Sequence, residues 1–175
     1  MNDQRSFVSA DHCDCDRYTS SRAGERALNA AILQARLSES FERYLEIFDA
    51  FYADAVEVSS EAHEEPIQGK AAVRLLLFNF LVPLHVMAEV GGPSISIRVT
   101  AIPGDVADET HSAWTLDLVG VSGRTCTVSW RAFRKWNASH VVYEYHYDQQ
   151  QSGGPLTLND LSFNSAMPDP SFTIQ

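Results

Sequence analysis

Residues 109–148 read ETHSAWTLDLVGVSGRTCTVSWRAFRKWNASHVVYEYHYD, and this stretch decides the fold class. Apolar and polar residues alternate through three segments, 109–119, 125–136 and 141–148, with short turn sequences between them. Period-two alternation is typical of strands with one buried face, and strands joined by short turns pair antiparallel. Together with a further alternating segment at 94–102, these segments predict a four-stranded antiparallel meander.

Three helices are predicted ahead of the meander, because apolar residues recur there at spacings of three and four. The first begins near Ser21, the second follows a helix-capping Ser38, and the third continues until Pro83 ends it. A short strand is predicted at 54–60, followed by a loop at 61–66. Helices grouped early and strands grouped late make this an α+β fold. The predicted buried faces are Leu28, Ala31, Ile32 and Ala35 in the first helix, Phe41, Tyr44, Leu45, Phe48, Phe51 and Tyr52 in the second, and Val73, Leu76, Leu77 and Phe80 in the third.

The 175 residues divide into one domain at 21–150, a flexible N-terminal tail at 1–20 and a C-terminal arm or tail at 151–175. Cys13 and Cys15 lie in the N-terminal segment beside a histidine. They lack the second pair of ligands that a structural zinc site requires, so a polar tail is the favoured interpretation.

Charge and hydropathy exclude several classes of function. The net charge is −10 at pH 7 and the 13 basic residues are scattered, which argues against a surface for nucleic acid or anionic membrane. No apolar run approaches the ~20 residues that span a bilayer. The N-terminus also lacks the basic segment and apolar run of a secretory signal. We therefore expect a cytoplasmic protein.

Two stretches carry a resemblance to known proteins. Segment 51–73, FYADAVEVSSEAHEEPIQGKAAV, joins a helix end, a short strand, a loop and a helix start, and segment 142–148 reads VYEYHYD. Both resemble polyketide cyclases and steroid isomerases of the nuclear transport factor 2-like superfamily, over roughly residues 22–150. The resemblance implies a cone-shaped, cystatin-like fold, in which a curved antiparallel sheet wraps around three N-terminal helices. It also implies a pocket for a small-molecule ligand on the concave face of the sheet.

In such a fold, alternation divides the strand residues between the pocket face and the convex face. We expect Glu144, His146 and Trp130 to point inward and the tyrosines of the last strand to point outward. An aromatic convex face would expose apolar surface to water, so we predict a homodimer that covers it, as is common in this superfamily. The other residues expected inward are Val142, Val128, Ala132, Glu109, His111, Ala113 and Thr115, and those expected outward are Trp114, Leu116, Leu118, Ser129, Arg131, Tyr143, Tyr145 and Tyr147.

The catalytic acids of the steroid isomerases are not matched, because Ser60 and Ala132 stand where that resemblance would place them. The chain is more similar to scytalone dehydratase-like members, which place one histidine after the third helix and another on the following long strand. His85 and His111 occupy those places, and imidazoles suit proton transfer in dehydration or cyclisation. The alternative is that these histidines fill a polar cavity or pair with carboxylates such as Glu109.

Glu144 and His146 form a second candidate pair, two residues apart on one strand face. In an apolar cavity the carboxyl pKa would rise and the group would serve as a general acid or base; a buried salt-bridged pair is the alternative. His63 lies in an acidic loop expected at the pocket mouth, where a simply solvated loop is the alternative. Imidazole and carboxylate could hold zinc or iron, but no spacing demands a metal, and we expect no cofactor.

Two classes of function are consistent with these residues. One is a cofactor-independent lyase or isomerase of the polyketide cyclase or dehydratase type, acting on a small, partly apolar carbonyl or hydroxyl compound. The other is a non-catalytic ligand-binding or dimeric assembly module. The candidate catalytic residues are His85, His111, Glu144 and His146, and the candidate ligand-binding residues are Tyr52, His63, Glu109 and Trp130.

Overall fold

A computed structural model describes six ranges of the chain: 11–35, 40–61, 63–89, 94–103, 106–120 and 122–154. Within these ranges, three helices and six strands follow one another in the order α1, α2, β1, β2, α3 and then β3 to β6. None of the described helices is both long and apolar enough to cross a membrane. The elements are α1 (Asp11–Gln34), α2 (Glu42–Phe51), β1 (Tyr52–Ser60), β2 (His63–Gln68), α3 (Lys70–Glu89), β3 (Ser94–Ala101), β4 (Glu109–Val119), β5 (Thr125–Asn137) and β6 (His140–Gly153).

The six strands form one sheet in the order β2-β1-β6-β5-β4-β3. Strands β3 to β6 are the antiparallel meander that the alternating sequence predicts. Strand β1 joins the far edge of the meander by pairing parallel with β6, and β2 folds back on β1. The α+β prediction is therefore confirmed. We call the face of the sheet that packs against the helices the inner face, and the opposite face the outer face.

The predicted orientation of β4 is wrong by one residue. Ser112 lies opposite Ala132 and Trp114 opposite Trp130, and cross-strand partners share a face. Because the helices cover the inner face, the large apolar side chains of β4 are buried there. A slip of one residue in the register moves every side chain of the strand to the opposite face. Trp114, Leu116 and Leu118 point inward instead of outward, and Glu109, His111, Ala113 and Thr115 point outward instead of inward.

Helix α3 continues through Pro83, where the sequence predicts its end. Leu81 and Leu84 on either side of the proline are both buried in the core, which holds the helix together across the missing amide hydrogen bond. His85 is consequently a helical residue. The buried face also differs from the prediction, because Leu76 and Phe80 are exposed.

The remaining differences concern where the helices and strands begin and end, and one strand that was not predicted. Helix α1 begins at Asp11, ten residues before the predicted start, and β6 continues to Gly153 through the segment expected to be a linker. Strand β2 lies in the predicted loop, where Pro66 and its acidic neighbours hide the alternation. The predicted cap of α2, Ser38, lies outside the described residues, as does the part 155–175 of the arm or tail predicted at 151–175.

Among the described residues, two apolar clusters form the core between the helices and the inner face. One lies toward the start of β5 and the other toward its end, and both include residues of α2. A row of buried polar residues on β4, β5 and β6 lies on the same inner face. The buried members are Tyr44, Leu45, Leu81, Leu84, Leu116, Leu118 and Cys126 in the first cluster, and Leu28, Ile47, Phe48, Tyr52, Val56, Val73, Trp136 and Val141 in the second.

Candidate functional site

The guanidinium of Arg134 is the centre of a buried charged network on the inner face. Its side chain is 2% exposed and bonds two carboxylates, one on each side. Nη1 donates to Glu25 Oε1 at 2.8 Å, and Nε donates to Glu144 Oε2 at 2.9 Å. Nη1 also donates to Ser112 Oγ at 3.0 Å. A buried guanidinium needs such partners, because removing its charge from water is costly unless it is paired and hydrogen-bonded.

Helix α1 brings Glu25 to the sheet. A Cβ atom on the preceding Gly24 would lie 2.7 Å from the Trp136 ring, so the glycine allows the helix to approach this closely. The Glu25 carboxylate then accepts hydrogen bonds from Thr110 Oγ1 at 2.8 Å and Asn29 Nδ2 at 3.1 Å. Since Thr110 also accepts the indole hydrogen of Trp136, α1, β4 and β5 are connected by one buried hydrogen-bond network.

Glu144 is the most heavily bonded carboxylate of this network. Besides Arg134, it accepts hydrogen bonds from the Tyr52 hydroxyl and from His146 Nε2. Burial opposes ionisation of Glu144, but the charges and hydrogen bonds of Arg134 and His146 hold its pKa well below its usual range. The raised pKa expected from the sequence is therefore wrong, and the buried salt-bridged alternative describes Glu144. The predicted inward orientation of Glu144 and His146 is confirmed.

Tyr52, at the start of β1, completes the network from the strand that pairs with β6. Burial, together with the nearby Glu144 carboxylate, raises the pKa of the Tyr52 phenol above its usual range. The hydroxyl consequently stays protonated and acts as a donor to Glu144. Tyr52 was expected to form part of an apolar wall; its ring does pack on Phe48, while its hydroxyl belongs to the polar network.

His146 connects the buried network to a more accessible region. Its side chain is 35% exposed, against 7% for Glu144. The Trp130 ring lies 6.3 Å from the His146 ring and stacks on Trp114, and the Arg134 guanidinium lies 5.3 Å from the Trp114 centroid. The imidazole is therefore bordered by aromatic surface.

The structure does not bring the other predicted catalytic residues to this network. His85 packs against Phe41 at 5.3 Å, near the start of α2. His111 lies on the outer face, with its ring 5.0 Å from Phe133 and its Nδ1 atom 3.3 Å from the Tyr147 hydroxyl. The predicted pairing of His85 and His111 across an inner pocket is thus wrong, because the slip in β4 turns His111 away.

Two of the predicted ligand-binding residues also lie elsewhere. Glu109 is on the outer face, where it forms an ion pair with Lys135 at 3.4 Å. The side chain of His63 lies outside the described part of the chain, although its backbone begins β2. Of the ligand-binding predictions, the structure therefore brings Tyr52 and Trp130 together with the Glu144–His146 pair.

Sequence reasoning missed Arg134 and Glu25. The signal for Arg134 was present, because alternation along β5 places it on the same face as Trp130 and Ala132. Glu25 precedes Leu28 by three residues, which places both on one helix face. Among the described residues, no group of three or more histidine, cysteine, aspartate and glutamate side chains is arranged to hold a metal ion.

Comparison with known proteins supports the same architecture. No family model matches the chain, and no curated protein matches it. A protein from Xanthomonas campestris pv. campestris thought to be a polyketide cyclase superposes with a TM-score of 0.51 at 14% identity, covering 75% of this chain and 91% of that chain. An LEH-like epoxide hydrolase of M. tuberculosis superposes with a TM-score of 0.50 at 13% identity, covering 74% and 83%. The chain has the nuclear transport factor 2-like fold.

On this nuclear transport factor 2-like sheet, the outer face carries an open groove of about 460 Å³. Phe133, Lys135, Tyr143 and Tyr145 line it. The Tyr145 and Tyr147 rings stack beside it at 6.0 Å, and Phe133 meets Tyr143 edge-on at 6.2 Å. The groove is separate from the Arg134 network, since the sheet itself lies between them.

The depressed pKa of Glu144 predicts how stability depends on pH. A carboxyl whose pKa is lower in the folded than in the unfolded chain contributes stability above the unfolded value, about 4.3, and loses it as pH falls toward the folded value. We expect the free energy of unfolding of the wild type to fall as pH is lowered below about 4.3, and to fall less steeply in Glu144→Gln. Urea titrations between about pH 5 and pH 2.5 measure this. Parallel curves for the two proteins would contradict the assignment.

Proposed function

We propose that this protein is a cofactor-independent lyase or isomerase that acts on a small, partly apolar carbonyl or hydroxyl compound at His146. The observation that carries the proposal is the buried Glu25–Arg134–Glu144 network that ends at a partly exposed imidazole. Apolar side chains would fill this space at lower cost, because burying charges opposes folding. Groups whose pKa is strongly shifted by specific charged partners, as that of Glu144 is, are concentrated at functional sites.

The hydrogen bonds support different roles for Glu144 and His146. An ionised carboxylate accepts hydrogen bonds and cannot donate them, so His146 Nε2 carries the hydrogen that Glu144 accepts. In the neutral imidazole, Nδ1 is then free to accept a proton. His146 is the proposed general base and acid. Glu144 is a positioning residue, which fixes the tautomer and orientation of the ring and is itself held by Arg134 and Tyr52.

The charge of the network favours proton transfer at this position. Two carboxylates and one guanidinium leave a net single negative charge, which a protonated His146 neutralises. A proton removed from carbon next to a carbonyl can thus be held on His146 while the substrate rearranges. The Trp130 and Trp114 rings provide a flat apolar surface for the rest of the molecule.

The proposal is tested by turnover of two substrate types. Dehydration of β-hydroxy ketones and isomerisation of β,γ-unsaturated ketones both form conjugated enones, whose near-ultraviolet absorbance rises as they appear. Protein treated with a chelator should convert at least one member of a panel of cyclic ketones of these types at the same rate as untreated protein. Conversion that requires added metal would contradict cofactor independence, and failure to convert any member would overturn the enzyme assignment.

A second candidate function, a dimeric assembly or ligand-binding module, is supported by the aromatic groove of the outer face. Half-buried aromatic rings on an open sheet face are typical of interfaces. Oppositely charged pairs on the same face, Lys135 with Glu109 and Arg131 with Asp148, would suit contact with a second copy. For this candidate we expect a homodimer in sedimentation velocity at micromolar concentration.

The dimer should dissociate in Tyr145→Glu, because a charge in the centre of an apolar interface is left without a partner. Leu75→Glu is a matched control, since Leu75 is an exposed apolar residue, 61% accessible, on α3. A monomeric wild type would contradict the dimer, as would a dimer that Tyr145→Glu leaves intact.

A further inference from the structure

One side of α3 exposes large apolar side chains to water. Four of them lie within two turns of the helix, and each is between 39% and 61% exposed. We call these residues the α3 apolar face: Leu75, Leu76, Phe78 and Phe80. The opposite side of the helix, with Val73, Leu81 and Leu84, is buried in the core. A helix that is apolar on both sides is normally covered on both, so we expect the α3 apolar face to have a partner.

The last strand ends close to the same helix. Gly153, at the end of β6, lies opposite Cys126 of β5, and Cys126 packs in the first core cluster with Leu81 and Leu84 of α3. Gly153 has a φ of +81°, and a Cβ atom there would overlap the Thr125 carbonyl oxygen, so glycine is what this bend of the backbone requires. The chain therefore leaves the sheet next to the part of the core that α3 covers.

The sequence that follows is suited to an apolar surface. Residues 155–175 have two charged side chains, Asp160 and Asp169, and both are acidic. The basic residues at the start of α3, Lys70 and Arg74, each form an ion pair with an aspartate, so acidic neighbours are compatible with this helix. The apolar residues nearest to the end of β6 are Leu156, Leu158, Leu161 and Phe163.

Attachment to the same chain favours this segment over a second copy of the protein. A stable interface between two proteins uses about 20–30 residues on each side, whereas the α3 apolar face has four large side chains. A tethered segment binds at a millimolar effective concentration, so a small apolar contact is enough to hold it. Its reach is sufficient, because residues 155–163 alone span about 30 Å when extended, against about 8 Å between Leu75 and Phe80 along the helix.

We propose that the α3 apolar face binds segment 155–175 of the same chain, through the apolar residues between Leu156 and Phe163. The contact removes apolar surface of both partners from water, which is its driving force. It forms within one chain, so it does not depend on protein concentration. It is also independent of the proposed function, because neither partner includes a residue of the Arg134 network.

Hydrogen exchange of the full chain, followed by mass spectrometry, tests this contact. The backbone amides of residues 156–163 should exchange at least about tenfold more slowly than those of an isolated peptide of the same sequence. Leu76→Asp and Phe80→Asp should each raise the exchange to the rate of the peptide, because an aspartate would bury an unpaired charge in the contact. Both residues are exposed, so the exchange of β4, β5 and β6 should stay as in the wild type.

Val106→Asp is the matched control. Val106 is 55% exposed and precedes β4, whose first residue pairs with Lys135, at the end of the sheet away from Gly153. This substitution should leave the exchange of residues 156–163 unchanged. Leu158→Asp alters the segment and not the helix, and it should raise the exchange of residues 156–163 as Leu76→Asp does. It keeps the test decisive where a substitution in α3 disturbs folding.

Three results would overturn the inference. The first is exchange of residues 156–163 at the rate of the peptide in the wild type. The second is slow exchange that persists in Leu76→Asp, Phe80→Asp and Leu158→Asp. The third is slow exchange that disappears on dilution to a concentration at which sedimentation shows a monomer, which would assign the α3 apolar face to a second copy. None of them bears on enone formation, which decides the proposed function.

Discussion

Replacing His146 with glutamine should lower the kcat of enone formation about 10²- to 10⁴-fold, the range that general acid–base groups contribute. Glutamine can still donate a hydrogen bond to Glu144, so the buried network keeps a partner at this position. It cannot accept and return a proton, because its amide does not titrate. The loss should therefore appear in kcat, with little change in KM, since the amide leaves the Trp130 surface in place.

His85→Gln and His111→Gln are matched controls for this prediction. Both histidines lie away from the Glu144 network, one against Phe41 and the other on the outer face beside Tyr147. Each substitution should leave kcat within about twofold of the wild type. If His146→Gln retained full activity while either control lost it, the scytalone dehydratase-like interpretation of the sequence would be restored and the present assignment would fail.

The part of the site that the sequence predicts comes from strands with an unambiguous pattern. In β6, Glu144 and His146 alternate with three tyrosines, and the inward orientation follows from the position of the strand in the fold. In β4 the pattern ETHSAWTLDLV has only small or polar residues on both faces before Trp114, so either register looks acceptable near its start. The structure settles the register by burying Trp114, Leu116 and Leu118.

The rest of the site is not predicted from the sequence because it depends on contacts between residues that are far apart in the chain. Glu25 and Arg134 are 109 positions apart, and their ion pair exists because α1 crosses the inner face at Gly24. No local sequence pattern indicates where α1 crosses the sheet. The same is true of Tyr52 and Glu144, which meet because β1 pairs parallel with β6, although β2, α3 and β3 to β5 lie between the two strands in the chain. The pKa of Glu144 was predicted in the wrong direction for this reason: its cation, Arg134, was missing from the expected site.

Arg134→Met should lower the free energy of unfolding by about 3–5 kcal/mol, the cost of removing one partner from a buried ion pair. Methionine fills a similar volume with apolar atoms, but it removes the cation that the Glu25 and Glu144 carboxylates share. Both carboxylates then stay buried, and a protonated His146 is the cation that remains in their network. Equilibrium urea denaturation at pH 7 measures the loss. Arg131→Met is the matched control on the same strand: Arg131 is half exposed, so its ion pair with Asp148 should contribute less than about 1 kcal/mol.

A triple variant distinguishes the two causes of this stability loss, unpaired buried charge and lost packing. Converting Glu25 and Glu144 to glutamine in the Arg134→Met background removes the unpaired carboxylates, and we expect it to recover at least half of the lost stability. This variant also keeps the test decisive where Arg134→Met alone does not fold, because recovery of cooperative unfolding then identifies the charges as the cause. An Arg134→Met protein within about 1 kcal/mol of the wild type would show that the network does not depend on its cation. That result would remove the main physical reason for regarding the inner face as a site.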